Sequence, residues 1–384
     1  MRYINREACQ KAIQLAEKFP VVSITGPRQS GKSTLAQHAF PEYAYVSLEN
    51  PNDRAFAIED PLGFIATYPK RTIIDEAQRA PELFNYLQGH IDSLGESGQY
   101  VLSGSQNFLL HDGITQSLAG RCAVMHLMPL SRFELAEDGT LPESLDEWLL
   151  SGGYPRVHQL GIDPADFYPS YVETYLERDA RSQIADSSLY DFQRFLRLCA
   201  GRVGQILDIG NLAGESGIDA RTAKRWLSVL QASFIVFLVQ PYHNNFNKRL
   251  VKRPKLYFCD TGLACSLLGL RSTESLALSP FRGGVFENMV FTERMKRSYA
   301  LGRTPGLWFW HETSTNEVDL VEEDDGCLRA VEVKSGATYD TKWFSSMRVF
   351  SKLAGLSADD KAVVYGGDVD LVTSQGAIVS WRTW

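Results

Sequence analysis

The strongest chemical signal in the sequence is a loop suited to binding phosphate. Residues 26–33 read Gly-Pro-Arg-Gln-Ser-Gly-Lys-Ser, which matches GxxxxGK[ST], and they stand between a β-branched run, Val21–Thr25, and a helical pattern, Gly31–Ala39. Glycines let successive backbone N–H groups surround phosphate oxygens, and the following helix adds positive potential. In such a loop the lysine reaches the β- and γ-phosphates and the serine ligates Mg²⁺. Unless the match is a chance glycine-rich turn, the sequence predicts a site for ATP and Mg²⁺ at Gly26, Gln29, Ser30, Gly31, Lys32, Ser33 and Thr34.

Two adjacent carboxylates complete the predicted nucleotide site. Asp75 and Glu76 follow the apolar run Thr72–Ile74. Beside a phosphate-binding loop, Asp75 is expected to hold the Mg²⁺ and Glu76 to polarise the attacking water. The alternative is that the pair only caps the helix that follows. Ser105, just after the strand pattern Gln99–Ser103, is predicted to sense the γ-phosphate, with an ordinary N-cap as its alternative.

A second group of chemically capable residues lies near the end of the chain. Glu317 and Asp319 precede Asp325-Gly326, a strong hairpin-turn signal, and Glu332 and Lys334 follow it. If these two turn residues form the loop, Asp319 faces Glu332 and Glu317 faces Lys334. All four side chains then project from one face, because side chains alternate along a strand.

Two carboxylates and a lysine on one face are what metal-dependent phosphodiester hydrolysis requires. Asp319 and Glu332 are predicted to bind Mg²⁺ or Mn²⁺, and Lys334 to orient or deprotonate the water. Glu287, on the helical pattern Val285–Arg297, is predicted to add a further metal ligand. The alternative is a surface hairpin with ordinary cross-strand ion pairs.

The middle of the chain carries a concentrated positive charge. Residues 221–255 include eight Lys or Arg and no Asp or Glu, although the whole chain has a net charge of -7. A short helix at Ile209–Glu215, a turn and a second helix at Ala220–Gln231 predict a helix-turn-helix, and two strand patterns after it predict a β-ribbon wing. Such an element binds DNA phosphates without sequence preference. A winged helix that contacts subunits, or that serves as an ATPase lid, is the alternative. The predicted DNA contacts are Arg221, Lys224, Arg225, Lys248 and Arg249.

Composition limits the class of protein. The 384 residues are 44% hydrophobic and 22% charged, which excludes collagen-like and largely disordered chains. Six scattered cysteines lack CxxC or zinc spacing and predict reduced thiols. The N-terminal residues carry charges where a signal peptide would be apolar, and no run is long enough to span a membrane. We therefore expect a soluble cytoplasmic protein of several domains.

The order of elements predicts an α/β fold. Five short strand patterns alternate with helical ones through the first third of the chain, which implies a parallel sheet covered on both faces. The strand patterns are Val21–Thr25, Tyr45–Leu48, Thr72–Asp75, Gln99–Ser103 and Ala123–Leu127.

Several motifs together resemble one family, the AAA+-type ATPases that carry a C-terminal DUF4143 region. They are Leu48-Glu49-Asn50-Pro51, Ile74-Asp75-Glu76-Ala77-Gln78, Leu102-Ser103-Gly104-Ser105, Leu118-Ala119-Gly120-Arg121, Gly152-Gly153-Tyr154-Pro155, Glu177-Arg178-Asp179 and Asp260-Thr261-Gly262-Leu263. The resemblance implies an AAA+ P-loop ATPase core, a winged-helix region and a C-terminal mixed α/β domain of the PD-(D/E)xK nuclease fold. It also implies that Arg121 is an arginine finger; the alternative is a salt bridge at a strand start. Residue 318 is valine, where the proline that names this nuclease fold would stand.

Residues and resemblance together predict four segments and a function. The segments are an ATPase core at 1–135, a helical lid or linker at 136–200, a winged-helix domain at 201–270 and a nuclease-like domain at 271–384. The leading hypothesis is a homo-oligomeric ATPase, expected to be a hexameric ring, whose C-terminal domain cuts DNA, branched or junction DNA being the expected substrate. The alternative is an ATP-regulated DNA-binding or protein-remodelling ATPase with an inactive nuclease-like domain.

Overall fold

The N-terminal region is built on a parallel sheet. A computed structural model describes residues 2–104, 117–176, 189–242, 253–313 and 316–384. All five predicted strands are confirmed, each end lying within one residue of its predicted position. They pair in parallel in the order β2-β3-β4-β1-β5, so the carboxyl ends of all five meet at one edge. The strands are β1 (Val21–Thr25), β2 (Ala44–Ser47), β3 (Thr72–Asp75), β4 (Tyr100–Gly104) and β5 (Cys122–His126).

Helices cover both faces of this sheet. Successive residues of β1 enter two separate cores, so that Val21 packs with one and Val22 with the other. The first core takes side chains from α3–α5 and the second from α1 and α2. The helices are α1 (Ala8–Ala16), α2 (Lys32–Ala39), α3 (Pro51–Glu59), α4 (Pro61–Thr67) and α5 (Leu83–Leu94).

A group of short helices follows the sheet. Serines begin two of them in capping boxes: Ser131 pairs with Glu134, and Ser144 with Glu147. A π-helical turn, Val172–Leu176, continues the fourth helix. The helices are α6 (Arg132–Asp138), α7 (Leu145–Ser151), α8 (Pro155–Leu160), α9 (Pro164–Tyr171) and α10 (Leu189–Ala200).

The basic middle segment has the topology predicted for a winged helix. After α10 the chain continues through a short strand, two helices joined at Gly217, and two antiparallel strands, and the small sheet has the order β6-β8-β7. Gly217 has φ +74°, a conformation that glycine adopts without strain. The elements are β6 (Gln205–Ile206), α11 (Ile209–Ser216), α12 (Ala220–Ala232), β7 (Val236–Val239) and β8 (Lys255–Phe258).

The C-terminal region packs one long helix against a mixed sheet. Its six strands have the order β13-β14-β12-β11-β10-β9, with both parallel and antiparallel pairs. The elements are α13 (Thr261–Leu267), α14 (Thr273–Ala277), α15 (Arg282–Ala300), β9 (Leu307–Thr313), β10 (Asn316–Asp324), β11 (Cys327–Lys334), α16 (Arg348–Ala354), β12 (Lys361–Tyr365), β13 (Leu371–Thr373) and β14 (Gly376–Ser380).

One hydrophobic core joins the regions that follow the first sheet. It includes Leu149 of α7, Phe195 of α10, Trp226 of α12, Phe286 of α15 and Val331 of β11. Helix α15 also contacts helix α1 and strand β5 of the N-terminal region. The segment predicted as a lid or linker therefore contributes to the same core as the two regions after it. The predicted segment boundaries stay predictions.

The structure also describes the cysteines and the apolar character of the helices. All six cysteines are free. Within the described ranges, no helix combines the length and the apolar character needed to cross a membrane.

Candidate functional site

The phosphate-binding loop has the backbone that its sequence predicts. Gly26, directly after β1, has φ +153°, and a Cβ there would lie 2.1 Å from the carbonyl oxygen of Leu127, so only glycine fits. Gln29 and Gly31 also have positive φ, at +60° and +94°. Helix α2 then begins at Lys32. The loop thus curls at the carboxyl end of β1 and leads into a helix N-terminus, the arrangement that attracts phosphate.

Two side chains of this loop are held against it. Lys32 is buried, and its Nζ donates to the carbonyl oxygens of Gly26 and Pro27 at 3.1 and 2.7 Å. Ser30 is also buried, and its hydroxyl has no hydrogen-bond partner among the described residues. A buried hydroxyl without a partner costs roughly 1–3 kcal/mol, and a phosphate oxygen would satisfy it. Thr34, the last residue of the predicted set, is exposed on the first turn of α2.

Asp75 joins the loop to the neighbouring strands. Ser33 Oγ donates to Asp75 Oδ1 at 2.8 Å, and the hydroxyl of Tyr45 donates to Asp75 Oδ2 at 2.9 Å. Ser103 Oγ, on β4, donates to the same carboxylate. Burial and the nearby Asp75 carboxylate raise the pKa of Tyr45 to about 12. A serine hydroxyl beside a carboxylate is an oxygen donor set that fits Mg²⁺.

Glu76 lies next to Asp75 in an unusual backbone conformation. Its φ and ψ are +52° and +41°, the left-handed region that a glutamate adopts only at a cost of about 1–3 kcal/mol. Its side chain accepts a hydrogen bond from Gln78 Nε2 at 2.7 Å and does not cap the 3₁₀ turn that follows. The capping alternative therefore does not account for Glu76. Ser105, the predicted γ-phosphate sensor, lies outside the described residues.

Arg121 forms the salt bridge that was the alternative to an arginine finger. Its Nε and Nη2 donate to the two carboxylate oxygens of Asp92 at 2.6 and 2.8 Å. These hydrogen bonds hold the pKa of Asp92 below its usual value. Arg121 precedes β5, which runs parallel to β1, so it lies at the edge of the sheet opposite the phosphate-binding loop. Within one chain it is therefore remote from the nucleotide site.

Sequence reasoning missed one residue that supports the loop. Arg6 is buried, and its guanidinium donates to the Ser30 carbonyl at 2.8 Å, the Met128 carbonyl at 2.6 Å and Glu134 Oε1 at 2.9 Å. It thereby ties the phosphate-binding loop to the segment after β5 and to α6. No local pattern around Arg6 signals these contacts, because all three partners are distant in sequence.

The C-terminal hairpin has the predicted register. Leu320 pairs with Val331 across β10 and β11, with Asp325-Gly326 as the loop. The ladder between these two strands ends at Leu320, and the pairing of β10 with β9 shifts between Val318 and Val321. Asp319 accepts a hydrogen bond from the backbone N–H of Val333 at 2.8 Å. Burial and the neighbouring Asp319 raise the pKa of Glu332 to about 7. Asp319 and Glu332 therefore lie close together, but Glu317 forms its ion pair with Lys255, and Lys334 forms its ion pair with Glu332. The prediction that all four side chains share one face stays a prediction.

Lysines occupy the neighbourhood in which a metal ion was predicted. Glu332 accepts from Lys334 Nζ at 2.5 Å, and Lys255 Nζ lies 2.9 Å from Glu287 Oε1 and 2.8 Å from Glu317 Oε1. Burial disfavours the Lys255 ammonium, but the surrounding carboxylates outweigh that effect and raise its pKa. Across the ranges that the structure describes, no group of three or more His, Cys, Asp or Glu residues could hold a metal ion. Glu287 is the partner of Lys255 in this structure, and its predicted part in a metal shell with Asp319 and Glu332 stays a prediction.

Comparison with known proteins settles the family. Residues 18–136 match an AAA domain (AAA_14), residues 142–274 a domain of unknown function (DUF8612), and residues 282–384 another (DUF4143). Uncharacterized proteins of Mycobacterium tuberculosis and Mycobacterium bovis are each 30% identical over 369 residues, which cover 95% of this chain and 80% of each relative. This chain belongs to the AAA_14–DUF4143 family of P-loop ATPases.

Solved structures show only distant similarity to this AAA_14–DUF4143 chain. A Walker-type ATPase of Pyrococcus abyssi is 16% identical with a TM-score of 0.49, over 69% of this chain and 96% of that one. AMPPCP-bound DnaA of Aquifex aeolicus is 14% identical with a TM-score of 0.32, over 59% of this chain and 86% of that one. Similarities of this size carry no functional conclusion.

Two of the family motifs meet at a buried carboxyl group. Asp260 accepts from the backbone N–H of Gly153 at 2.7 Å, from the Tyr168 hydroxyl at 2.7 Å and from the N–H of Leu263 at 3.0 Å. A Cβ on Gly152 would lie 2.3 Å from Asp260 Oδ1, which explains the glycine there. In this AAA_14–DUF4143 chain these motifs therefore hold the helices after the sheet to the segment after β8. Another family motif, Glu177-Arg178-Asp179, lies outside the described residues.

Three of the five predicted DNA contacts lie on the exposed face of α12. Arg221, Lys224 and Arg225 are exposed, while Trp226 and Leu230 on the opposite face are buried. In the part of the chain that the structure describes, none of these three cations forms an ion pair. Lys248 and Arg249 of the predicted wing lie outside the described residues.

Proposed function

We propose that this protein hydrolyses ATP and that its nucleotide state controls DNA binding by the winged helix. The observation that carries the proposal is the 2.8 Å contact between Ser33 and Asp75, which joins the phosphate-binding loop to the carboxyl end of β3. Such a pair is the site at which P-loop NTPases hold Mg²⁺. The exposed cations of α12 supply the DNA-binding part.

Each residue of the nucleotide site has a distinct proposed role. Lys32 binds the β- and γ-phosphates, and Ser33 and Asp75 hold Mg²⁺, which neutralises charge on those phosphates. Glu76 orients the attacking water and accepts its proton, a role that its strained position beside Asp75 supports.

A short chain of contacts provides a route from the nucleotide site to the winged helix. Thr25 Oγ1, at the end of β1, lies 2.6 Å from His126 Nδ1. The His126 ring packs against Phe234, between α12 and β7, and against Tyr299 of α15, with ring centroids 5.6 and 4.8 Å apart. Phe234 itself has φ +55°. Movement at the end of β1 would therefore press on the connection between α12 and β7.

Neutralising the basic face of α12 is expected to weaken binding to unrelated DNA sequences about equally. In the triple variant Arg221→Gln, Lys224→Gln and Arg225→Gln, log Kd should depend on log salt concentration less steeply, by about one unit per lost phosphate contact. Fluorescence anisotropy with duplex, single-stranded and four-way-junction DNA measures this, with and without ATP. The same titrations compare the AMPPCP-bound and ADP-bound states.

A control with the same loss of charge makes this test specific. Lys18→Gln, Lys342→Gln and Lys352→Gln remove three exposed cations outside α12. If the control weakens DNA binding as much as the α12 variant, only net charge matters and the proposed face is wrong. An unchanged salt slope in the α12 variant would favour a protein partner, and hence the remodelling alternative. Equal DNA affinity in all nucleotide states would contradict the proposed control by ATP.

We also propose that the protein forms a homo-oligomer, a hexameric ring, and that ATP is hydrolysed between its subunits. Arg121 would release Asp92 and contact the nucleotide bound to a neighbouring subunit. It does not reach the nucleotide site of its own chain, because that site lies at the other end of the sheet. Arg121→Ala protein and Lys32→Ala protein should each be inactive alone, yet regain some ATPase activity when mixed. Full activity of Arg121→Ala, or of a strictly monomeric wild-type protein, would contradict this proposal.

Metal-dependent cleavage of DNA is the second candidate function. The C-terminal hairpin favours it, because Asp319, Glu332 and Lys334 lie close together. The ion pairs of Lys255 with Glu287 and Glu317 favour the alternative of an inactive nuclease-like domain. Incubating the protein with duplex, single-stranded and four-way-junction DNA in Mg²⁺ or Mn²⁺ decides between cleavage and an inactive domain. Products that disappear in Asp319→Asn would establish cleavage, and their absence on every DNA form would leave a domain that only binds.

A further inference from the structure

A buried lysine of the winged helix reaches into the carboxylates of the C-terminal region. Lys255 is the first residue of β8, and its side chain is only 4% exposed. Its Nζ lies between Glu287 Oε1 of α15, at 2.9 Å, and Glu317 Oε1 of β10, at 2.8 Å. The same ammonium lies 5.3 Å from the centre of the Phe309 ring. Three separate elements therefore meet at one cation.

The carboxylate oxygens of this cluster already have donors from the protein. Glu287 Oε1 also accepts from the Tyr257 hydroxyl at 2.6 Å, and Glu317 Oε2 lies 3.4 Å from His311 Nδ1. On the hairpin, Glu332 Oε2 accepts from Ser346 Oγ at 2.6 Å. A divalent ion would have to displace these donors or bring its charge beside a buried ammonium, and both are costly.

We propose that Lys255 is the resident cation of this cluster and takes the position that a divalent metal would need between Glu287 and Glu317. The cluster is then an ionic joint that holds the winged helix to the C-terminal region without a metal. This inference goes beyond ATP hydrolysis and DNA binding and depends on neither. It also explains why Lys255, the last residue of the basic segment 221–255, is buried where DNA could not reach it.

Binding of Mn²⁺ tests the proposal directly. Electron paramagnetic resonance of nucleotide-free protein measures bound Mn²⁺ without any assay of activity. Wild-type protein and Asp319→Asn should bind the same amount, because the cluster takes no metal. Lys255→Met removes the ammonium while keeping an apolar side chain, and should gain about one Mn²⁺ per chain, with oxygen ligands from the freed carboxylates. Adding Asp319→Asn to Lys255→Met should weaken that new site by about tenfold or more, since one of its acidic neighbours is lost.

Two further variants separate the proposal from a failure to fold. Lys255→Arg keeps the charge and should gain no Mn²⁺. Lys255→Met combined with Glu287→Gln removes one positive and one negative charge together, and should remain folded with no added Mn²⁺. If Lys255→Met alone unfolds at lower temperature, Mn²⁺ should restore part of that loss, whereas it should not stabilise the wild type.

The proposal has clear contrary results. Mn²⁺ that binds to wild-type protein and is lost in Asp319→Asn would overturn it, whatever happens in the Lys255 variants. So would a folded Lys255→Met protein that neither gains Mn²⁺ nor is stabilised by it. A Lys255→Met protein that stays unfolded with and without Mn²⁺ would also count against it, because the freed carboxylates should then accept the replacement ion.

Discussion

Replacing Lys32 with alanine is expected to abolish ATP binding at micromolar concentrations. The variant removes the cation that faces the phosphates, and a charge-assisted hydrogen bond of this kind contributes about 1.5–3 kcal/mol, or roughly 10- to 150-fold in Kd. The loss of neutralising charge on two phosphates adds to that effect. Equilibrium binding of a fluorescent ATP analogue in the presence of Mg²⁺ measures it.

Glu76→Gln should separate binding from turnover at the same site. Glutamine keeps the shape of the side chain and can still accept a hydrogen bond, but it cannot take a proton from the attacking water. We therefore expect nearly unchanged ATP affinity and a rate of phosphate release that is lower by about 10²- to 10⁴-fold. Lys18→Ala, in the exposed turn that follows α1, is the control and should leave both properties unchanged. Normal turnover in Glu76→Gln would remove this residue from the water-activating role, and normal binding in Lys32→Ala would refute the proposed site.

The nucleotide site was predictable because its signals are local and its geometry follows from the sheet. The loop from Gly26 to Ser33 is continuous in sequence, and Asp75 ends a strand. In a parallel sheet the carboxyl ends of all strands meet at one edge, so Asp75 must lie near Ser33 once both strands are placed. The supporting contact of Arg6 with Ser30 could not be predicted, because a buried guanidinium depends on three carbonyl and carboxylate partners that no spacing rule connects.

The C-terminal cluster was predictable only within its hairpin. A two-residue turn fixes the register, so the pairing of Leu320 with Val331, and with it the proximity of Asp319 to Glu332, followed from the sequence. The position of Lys255 did not. In the sequence it is the last residue of the basic segment 221–255, but the structure buries it against Glu287 and Glu317. Contacts between regions depend on how whole elements pack, which neither periodicity nor local charge records.

Asp260→Ala should be among the most destabilising single substitutions in the described part of the chain. The carboxyl group is buried and accepts hydrogen bonds from Gly153, Tyr168 and Leu263. Its removal leaves the N–H groups of Gly153 and Leu263 without that acceptor, whereas the Tyr168 hydroxyl keeps the carbonyl oxygen of Ser151. Each unsatisfied buried donor costs roughly 1–3 kcal/mol, which predicts a loss of about 3–5 kcal/mol in the free energy of unfolding. Urea unfolding followed by tryptophan fluorescence measures the change, since Trp148 and Trp226 lie in the shared core.

A second helix cap provides the matched control for Asp260. Asp219 caps α12 as Asp260 caps α13, accepting from the N–H groups of Arg221 and Thr222, but it lies at the surface. Asp219→Ala should therefore cost much less, because water replaces the lost acceptor. Equal losses in the two variants would mean that Asp260 acts only as a cap. A loss confined to Asp260→Ala, with ATP binding of the folded fraction also weakened, would show that this carboxyl group holds the helices beside the phosphate-binding loop in place, since Pro155 of α8 lies close to Gly31.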